Sequence, residues 1–448
     1  MNVSNLPELR SIAMQTIDES SGSLVDAAKC VYAIPETGFN ERKTCNFVQK
    51  QLEALGLFVE TGIAITGMKA VIKGNNPGPT IGVIAELDAL RVPSHPGADD
   101  TSGAAHACGH HIQIGALLGV ATALVNPILK ESLSGNVALI LAPAEEFIDI
   151  EDRLTKRDND EIEFLSGKQE MIRLGTFDEV DMAMMVHSST GYGKAYFSVG
   201  GTTNAHVTHQ VRYMGKSAHA GGFPYKGINA LQAAMLANTA INTQRETFME
   251  SQVGRVHGII SNGGTSVNAV PDQVLYEGRI RAGTVDALHS IEEKVIRCYK
   301  AGALAMGASV KVGSVAGYHP LTQNTTMEKL FIENAKLIFG QNSVVIESPD
   351  QNYGGSTDMG DLSKIMPVIH PYTRTASGIG HGEDYLIQDY NRAVVSSAKV
   401  MASTVLALLI DNAHKAEETI SQFKPDLTPA QYVKSQRERF TTTTYRPE

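Results

Sequence analysis

Within six residues, His106-Ala107-Cys108-Gly109-His110-His111, the chain carries three imidazoles and a thiol. Imidazole nitrogen and thiolate sulfur are the donors that divalent transition metals prefer, and few structural needs call for such a density of them. Other segments offer what a metal centre would still need. Pro143-Ala144-Glu145-Glu146-Phe147 closes the apolar stretch Asn136–Ala142. Taken alone, Glu145 and Glu146 read as an exposed loop pair. Adjacent carboxylates are costly to bury unless a cation compensates them. Beside a metal the pair divides its work, one carboxylate binding the ion and the other handling a proton.

Asp88, in Glu86-Leu87-Asp88-Ala89-Leu90, follows another apolar stretch. It suits the orientation of a ligating imidazole, or else the capping of a strand end; Glu86 has the weaker case. His187 ends Met182–Val186, and His381 lies between glycines in Gly380-His381-Gly382-Glu383-Asp384. A lone histidine at such a place is ordinarily structural, so these two count only together with the others. Further on, Gly215–Gly222 contains His219, the turn-rich loop Asn262–Pro271 contains Asn268, and Arg279 and Arg281 end an alternating stretch. Each could be turn chemistry or a solvated face. As a substrate clamp they would offer Arg for a carboxylate, Asn for an amide or carboxylate, and His for a developing oxyanion.

The elements that must position these residues follow from periodicity. The first roughly 60 residues read as two helices around a turn at Ile34–Gly38. Apolar strands are expected at Lys69–Lys73, Thr80–Ala85, Asn136–Ala142 and Met182–Val186, with a helix over Gly109–Leu124. Strands separated by helices predict an α/β fold, a mostly parallel sheet with helices on both faces. In such sheets sites form at the carboxyl ends of strands, where Glu86, Asp88, Glu145, Glu146 and His187 all fall. After Val199 the pattern changes. Thr203–Tyr213, Val256–Ile260, Gln273–Arg281 and Ser309–Val315 read as strands, and Ile228–Thr243 and Val285–Met306 as helices. They predict a small inserted α+β sandwich. The expected organisation is a catalytic domain over residues 1–198 and 316–448, interrupted by a lid or dimerisation domain over 199–315. The charged segment Asp149–Lys168 reads as a surface excursion, and the polar tail from Asp411 as one solvated helix.

With 448 residues, two domains are the default. A net charge of −10 argues against nucleic acid and anionic membranes as partners. The N-terminal stretch lacks the pattern of a secretory signal, and no uninterrupted apolar run approaches the roughly 20 residues of a membrane span. Cys30, Cys45, Cys108 and Cys298 are too few for a disulfide scaffold. A reducing cytoplasm fits, with Cys30, Cys45 and Cys298 filling core gaps.

Taken in order, ELDAL, HACGH, PAEE, a strand-end His, GKSAHA, GGTSVNAVPD and a late HG resemble the metal-dependent aminoacylase/carboxypeptidase superfamily. The branch they resemble contains hippurate hydrolases, auxin-conjugate amidohydrolases and aminobenzoyl-glutamate hydrolases. The resemblance runs from about Pro35 to His381. It implies two divalent metal ions, zinc or manganese with nickel or cobalt allowed, held by Cys108 as bridging thiolate with His110, Glu146, His187 and His381. It implies Glu145 as general base, Asp88 as the group orienting a ligand, and His219, Asn268 and Arg281 as substrate-binding residues. His219 would act in the active site of a partner subunit, making the protein a homodimer. The implied reaction is hydrolysis of the amide bond of an N-acyl or N-aroyl amino acid. A dipeptidase or carboxypeptidase on the same scaffold is the alternative, and a non-catalytic metal-binding dimer a third. The chain departs from the family pattern at His111, where Asp or Asn is usual, and in the long spacing from Glu146 to His187.

Overall fold

Consecutive buried residues reveal how the main sheet is covered. From Ile81 to Glu86, and again from Val137 to Ala142, every residue is buried. Side chains alternate between the faces of a strand, so an unbroken buried run means both faces are covered. The computed structural model describes residues 6–191 and 193–447; the first five residues of the N-terminal stretch lie outside them. It divides into two compact units.

The first unit comprises the chain up to Gly201, Thr322–Gln351 and Leu362–Pro429. Its six-stranded sheet has the order Val59–Ile63, Gly67–Lys73, Ser134–Ala142, Asn76–Glu86, Met182–Met184, Val368–Ile369. The last four run parallel to one another and the first two pair antiparallel. The helix His110–Leu124 is buried on nearly every side, which is why its sequence is apolar all round rather than striped. The segment Asn391–Leu409 is long and apolar enough to cross a membrane, but 94% of it is buried in this core.

The second unit comprises Thr202–Leu321, Asn352–Asp361 and the chain from Ala430. Its sheet is antiparallel, in the order Arg255–Asn262, Gln273–Ala282, Ala205–Met214, Ser309–Ala316, Thr441–Tyr445. The helices Ala230–Gln244 and Val285–Met306 share one core with it.

Four expectations are corrected. The N-terminal region forms three helices, Leu6–Glu19, Ser21–Tyr32 and Arg42–Ala54, the turn at Ile34–Gly38 separating the second from the third. Cys30 is exposed, whereas Cys45 and Cys298 are buried. The tail is not one solvated helix. Pro429–Arg439 buries Tyr432 and Gln436, and Thr441–Tyr445 adds an edge strand to the second sheet. Its polar residues serve buried carbonyls: Gln436 Nε2 donates to Gly317 O at 3.3 Å and to Asp361 Oδ1 at 3.1 Å, so polarity alone misreads it as solvated.

The charged segment Asp149–Lys168 is not a surface excursion either. Its exposed charge is confined to the helix Ile150–Asp158 and the turn after it, at Asp160 and Glu161. Arg153 is fully buried, donating to Leu165 O at 2.7 Å and to Glu146 O at 2.6 Å. A buried guanidinium is tolerated because it satisfies carbonyls that would otherwise be left without partners. The segment thus braces the loop that carries Glu145 and Glu146.

Candidate metal centre

Adjacent strand ends bring the acidic groups together. In the parallel pairing of Asn76–Glu86 with Ser134–Ala142, Glu86 stands opposite Ala142, so Asp88 and the Glu145-Glu146 pair leave the same edge of the sheet. Met182–Met184 lies on the other side of Asn76–Glu86 and delivers His187. Gly109 supplies the reversal between Cys108 and His110. Its φ is +86°, and a Cβ there would lie 2.1 Å from Ser188 Oγ, so only glycine fits.

Two neighbouring residues with left-handed backbone complete the frame. Ala144, at φ 51°, donates its N–H to Glu41 Oε1 at 2.8 Å just before the carboxylate pair. Glu41 also accepts from Thr66 Oγ1 at 2.5 Å, and burial with the charge of Asp88 raises its pKa to about 8. His381, at φ 67°, donates its N–H to Ala107 O at 2.9 Å, tying it to the Cys108 loop.

Cys108 lies at the centre of the arrangement. Cys108, His110 and His187 each offer a donor atom within 4.8 Å of the others, and so do Cys108, Glu146 and His381. The thiol is common to both groups. Its Sγ lies 3.5 Å from His187 Nε2, and His381 Nε2 lies 3.3 Å from Glu146 Oε1. A third group, Glu86, His110 and Glu145, satisfies the same distance.

The remaining ring nitrogens are held from behind. Asp88 accepts from His110 Nδ1 through its backbone oxygen at 2.9 Å and Oδ1 at 3.1 Å, and its Oδ2 accepts the N–H of Glu146 at 2.8 Å. His187 Nδ1 donates to Ser188 O at 2.7 Å. These contacts place the free Nε2 of each ring toward the thiol, the arrangement in which imidazoles bind metals. His110 Nε2 and Glu146 Oε1 are buried and make no hydrogen bond, each having only a charged neighbour, Glu86 Oε2 at 3.2 Å and His381 Nε2 at 3.3 Å. Such atoms are costly unless something else satisfies them. The donor set and these two atoms without hydrogen bonds fit divalent metal.

Charge follows the same geometry. Burial and Glu146 push the Cys108 thiol up, but His110 and His187 outweigh them and bring it to about 6, so it is a thiolate at neutral pH. Burial lowers the pKa of His110 and His187, yet Cys108 and Glu86 raise both rings above the ordinary imidazole value. Glu146 raises His381 to about 11.

Thus Cys108, His110, Glu145, Glu146, His187, His381 and Asp88 come together in the first unit. His219, Asn268 and Arg281 belong to the second. There the loops of His219 and Asn268 are joined by Ala220 N–H donating to Asn268 O at 2.9 Å, and Arg281 Nη1 donates to Ser356 Oγ at 3.1 Å. His111 turns away from the thiol. Its Nε2 meets Tyr390 Oη at 3.1 Å, and its ring packs on Tyr32 and His106 at 5.1 and 5.2 Å. Successive helical positions differ by about 100°, which separates its direction from that of His110.

Sequence reasoning missed Glu41, Gln113 and Lys168, and undervalued Glu86. Gln113 was within reach, because it lies one helical turn after His110 and its Nε2 donates to Glu86 Oε2 at 2.8 Å. Lys168 carried no signal, since its partner Glu86 is 82 residues away.

A family model described as Peptidase family M20/M25/M40 matches residues 82–407. The Xaa-Arg dipeptidase of Homo sapiens is 28% identical over 456 residues, covering 96% of this chain and 95% of that protein. The N-acyl-L-amino acid amidohydrolase of Geobacillus stearothermophilus is 27% identical over 315 residues, covering 68% of this chain and 79% of that protein. Among solved structures, a dinuclear metal binding peptidase of the M20 family from Bacillus subtilis shares the fold. It has a TM-score of 0.62 and 20% identity, covering 88% of this chain and 99% of that one.

The raised imidazoles set a test of the ligand assignment. A metal entering the site must displace protons from His110, His187 and His381, and lower pH strengthens that competition. Zinc affinity should therefore fall as pH drops from about 8 to about 6, with protons released on binding. Isothermal titration in buffers of different protonation enthalpy measures both; pH-independent affinity without proton release would exclude these histidines as ligands.

Proposed function

The chain belongs to peptidase family M20/M25/M40, and from that premise we propose that it hydrolyses the amide bond joining an acyl group to an amino acid that keeps its free carboxylate. Members of the family are hydrolases of amide bonds. The observation that carries the reading is Glu145 beside two donor groups sharing one thiolate, with Oε2 3.8 Å from His110 Nε2.

Cys108, His110 and His187 would hold one divalent ion, and Cys108, Glu146 and His381 a second. The thiolate favours zinc, and the imidazole and carboxylate donors also suit manganese, nickel or cobalt. When bound, the metals supply a Lewis acid for the scissile carbonyl and acidify water. Glu145 accepts the proton of the attacking water and returns it to the leaving amine. Asp88 keeps His110 and Glu146 in direction through opposite ends of one carboxylate.

His219 suits an oxyanion donor. Its Nδ1 accepts from the N–H groups of Gly221 and Gly222, both at 3.1 Å, which puts the ring proton on Nε2. Asn268 and Arg281 would bind the substrate carboxylate, a task for which guanidinium geometry is matched. We propose a homodimer in which His219 serves the partner's site. The edge strand Arg255–Asn262 exposes Ile259 and Ile260, and the helix Ala230–Gln244 exposes Met235 and Leu236. An apolar sheet edge of this kind calls for a cover, and a second copy would provide it. A site built on a thiolate suits the reducing cytoplasm. With a net charge of −10, neither nucleic acid nor an anionic membrane is the expected partner.

Two readings of the acyl group follow. The motifs fit an N-acyl or N-aroyl amino acid. The span of similarity favours a dipeptide, because the dipeptidase likeness covers 96% of the chain and the amidohydrolase likeness 68%.

Three measurements bear on this. Glu145→Gln should keep its metal and lose at least ~100-fold in kcat; near-native turnover would remove Glu145 as the base. Dipeptides should be cleaved with higher kcat/KM than N-acetyl, N-benzoyl and aminobenzoyl amino acids. The opposite order returns the N-acyl reading, and inactivity of the fully metallated protein on every compound leaves a binding protein. Mixing inactive Glu145→Gln and His219→Ala proteins should restore activity, since a mixed dimer has one site with both groups intact. No recovery on subunit exchange would end the shared-site assignment.

A further inference from the structure

We infer that Lys168 is a positioning residue of the metal centre: its ammonium holds Glu86 and keeps that carboxylate from becoming an additional ligand. The inference rests on the reading of Cys108, His110 and His187 as metal ligands.

Glu86 is placed where a ligand would be. It is fully buried, its Oε2 lies 3.2 Å from His110 Nε2, and it offers an oxygen within 4.8 Å of donor atoms of His110 and Glu145. Both of its oxygens are nevertheless engaged. Lys168 Nζ donates to Oε1 at 2.6 Å, and Gln113 Nε2 donates to Oε2 at 2.8 Å. The Glu86 N–H donates in turn to Gln113 Oε1 at 2.9 Å, which fixes the amide.

Local structure does not account for a lysine at this place. Lys168 is fully buried, and it sits in the first turn of the helix Gly167–Arg173, where the helix dipole opposes a cation. An ammonium is costly to bury unless an anion compensates it, and Glu86 is that anion. Its neighbour Gly167 is pressed against the strand end that leads to Glu145, for a Cβ there would lie 1.8 Å from Pro143 O. The lysine is therefore delivered by backbone with no room to shift.

Charge balance gives the pair its purpose. Two divalent ions, if bound, would be neutralised by Cys108, Asp88, Glu145 and Glu146. Glu86 would be an excess anion beside them, and Lys168 cancels it. A catalytic centre has to keep a coordination position open for water or substrate. A carboxylate drawn onto the metal at His110 would close it.

The test uses the full-length protein loaded with Co(II), whose d–d spectrum reports coordination number. In Lys168→Met, Glu86 loses its ammonium and joins the metal, so d–d intensity falls toward that of a six-coordinate ion and apparent Co(II) affinity rises in competition with a chelator. kcat should fall by roughly tenfold or more while KM changes little. The double variant Lys168→Met/Glu86→Gln removes both charges and should restore the wild-type spectrum and most of kcat. An unchanged spectrum in Lys168→Met overturns the inference whatever happens to activity. So does a double variant whose spectrum stays altered, and that arm stands alone where the single variant fails to fold. A wild-type protein that takes up no Co(II) overturns the metal assignment itself, a different outcome from either of these.

Discussion

Burying Glu86, Asp88, Glu145 and Glu146 close around the half-buried Cys108 is the constraint on which the rest of this structure depends. Anionic groups so close cannot all remain ionised in a low-dielectric interior without compensating charge. The fold answers in layers. Lys168 meets Glu86, three imidazoles face the thiolate and carboxylates, and the donor set matches divalent metal for what is left. The proposed chemistry follows from the same balance, because a centre that would concentrate positive charge on metal beside the Glu145 carboxylate could both acidify water and move its proton.

Holding such a site requires support from distant parts of the chain. Asp88 joins His110 to the backbone of Glu146, Glu41 accepts from Ala144, and Arg153 reaches the carbonyl of Glu146. These contacts come from a strand end, an N-terminal turn and a charged insertion. Each satisfies a backbone group near the Glu145-Glu146 pair, so the carboxylates sit on a loop with little freedom. The strained backbone of Ala144 and His381 is concentrated at the same place, as expected where surrounding structure overrides local preference.

Local periodicity made much of the fold legible. The helix Val285–Met306 and the strands of the second unit's sheet up to Ala316 match their expected positions closely; the helix and the strand Gln273–Ala282 bury one face more than the other and so write a period into the sequence. The charged insertion and the tail were misread for the opposite reason. Arg153, Lys168, Gln436 and Arg439 are polar side chains that point inward to specific carbonyls and carboxylates. Polarity at those positions reports a buried partner, and no pattern within a short window reveals one.

The sequence by itself determined the kinds of donor available, their order, and that strand ends would carry them; motif chemistry needs only residue type and short spacing. Tertiary structure decided which donors meet. It made Cys108 and His110 each common to two groups, turned His111 toward Tyr390, and brought Lys168 to Glu86. These outcomes depend on the register of neighbouring strands and on the direction of each side chain from its backbone. Such quantities are fixed only when segments far apart in the chain pack together, and electrostatic energy in a buried site changes steeply over the few ångströms that packing controls.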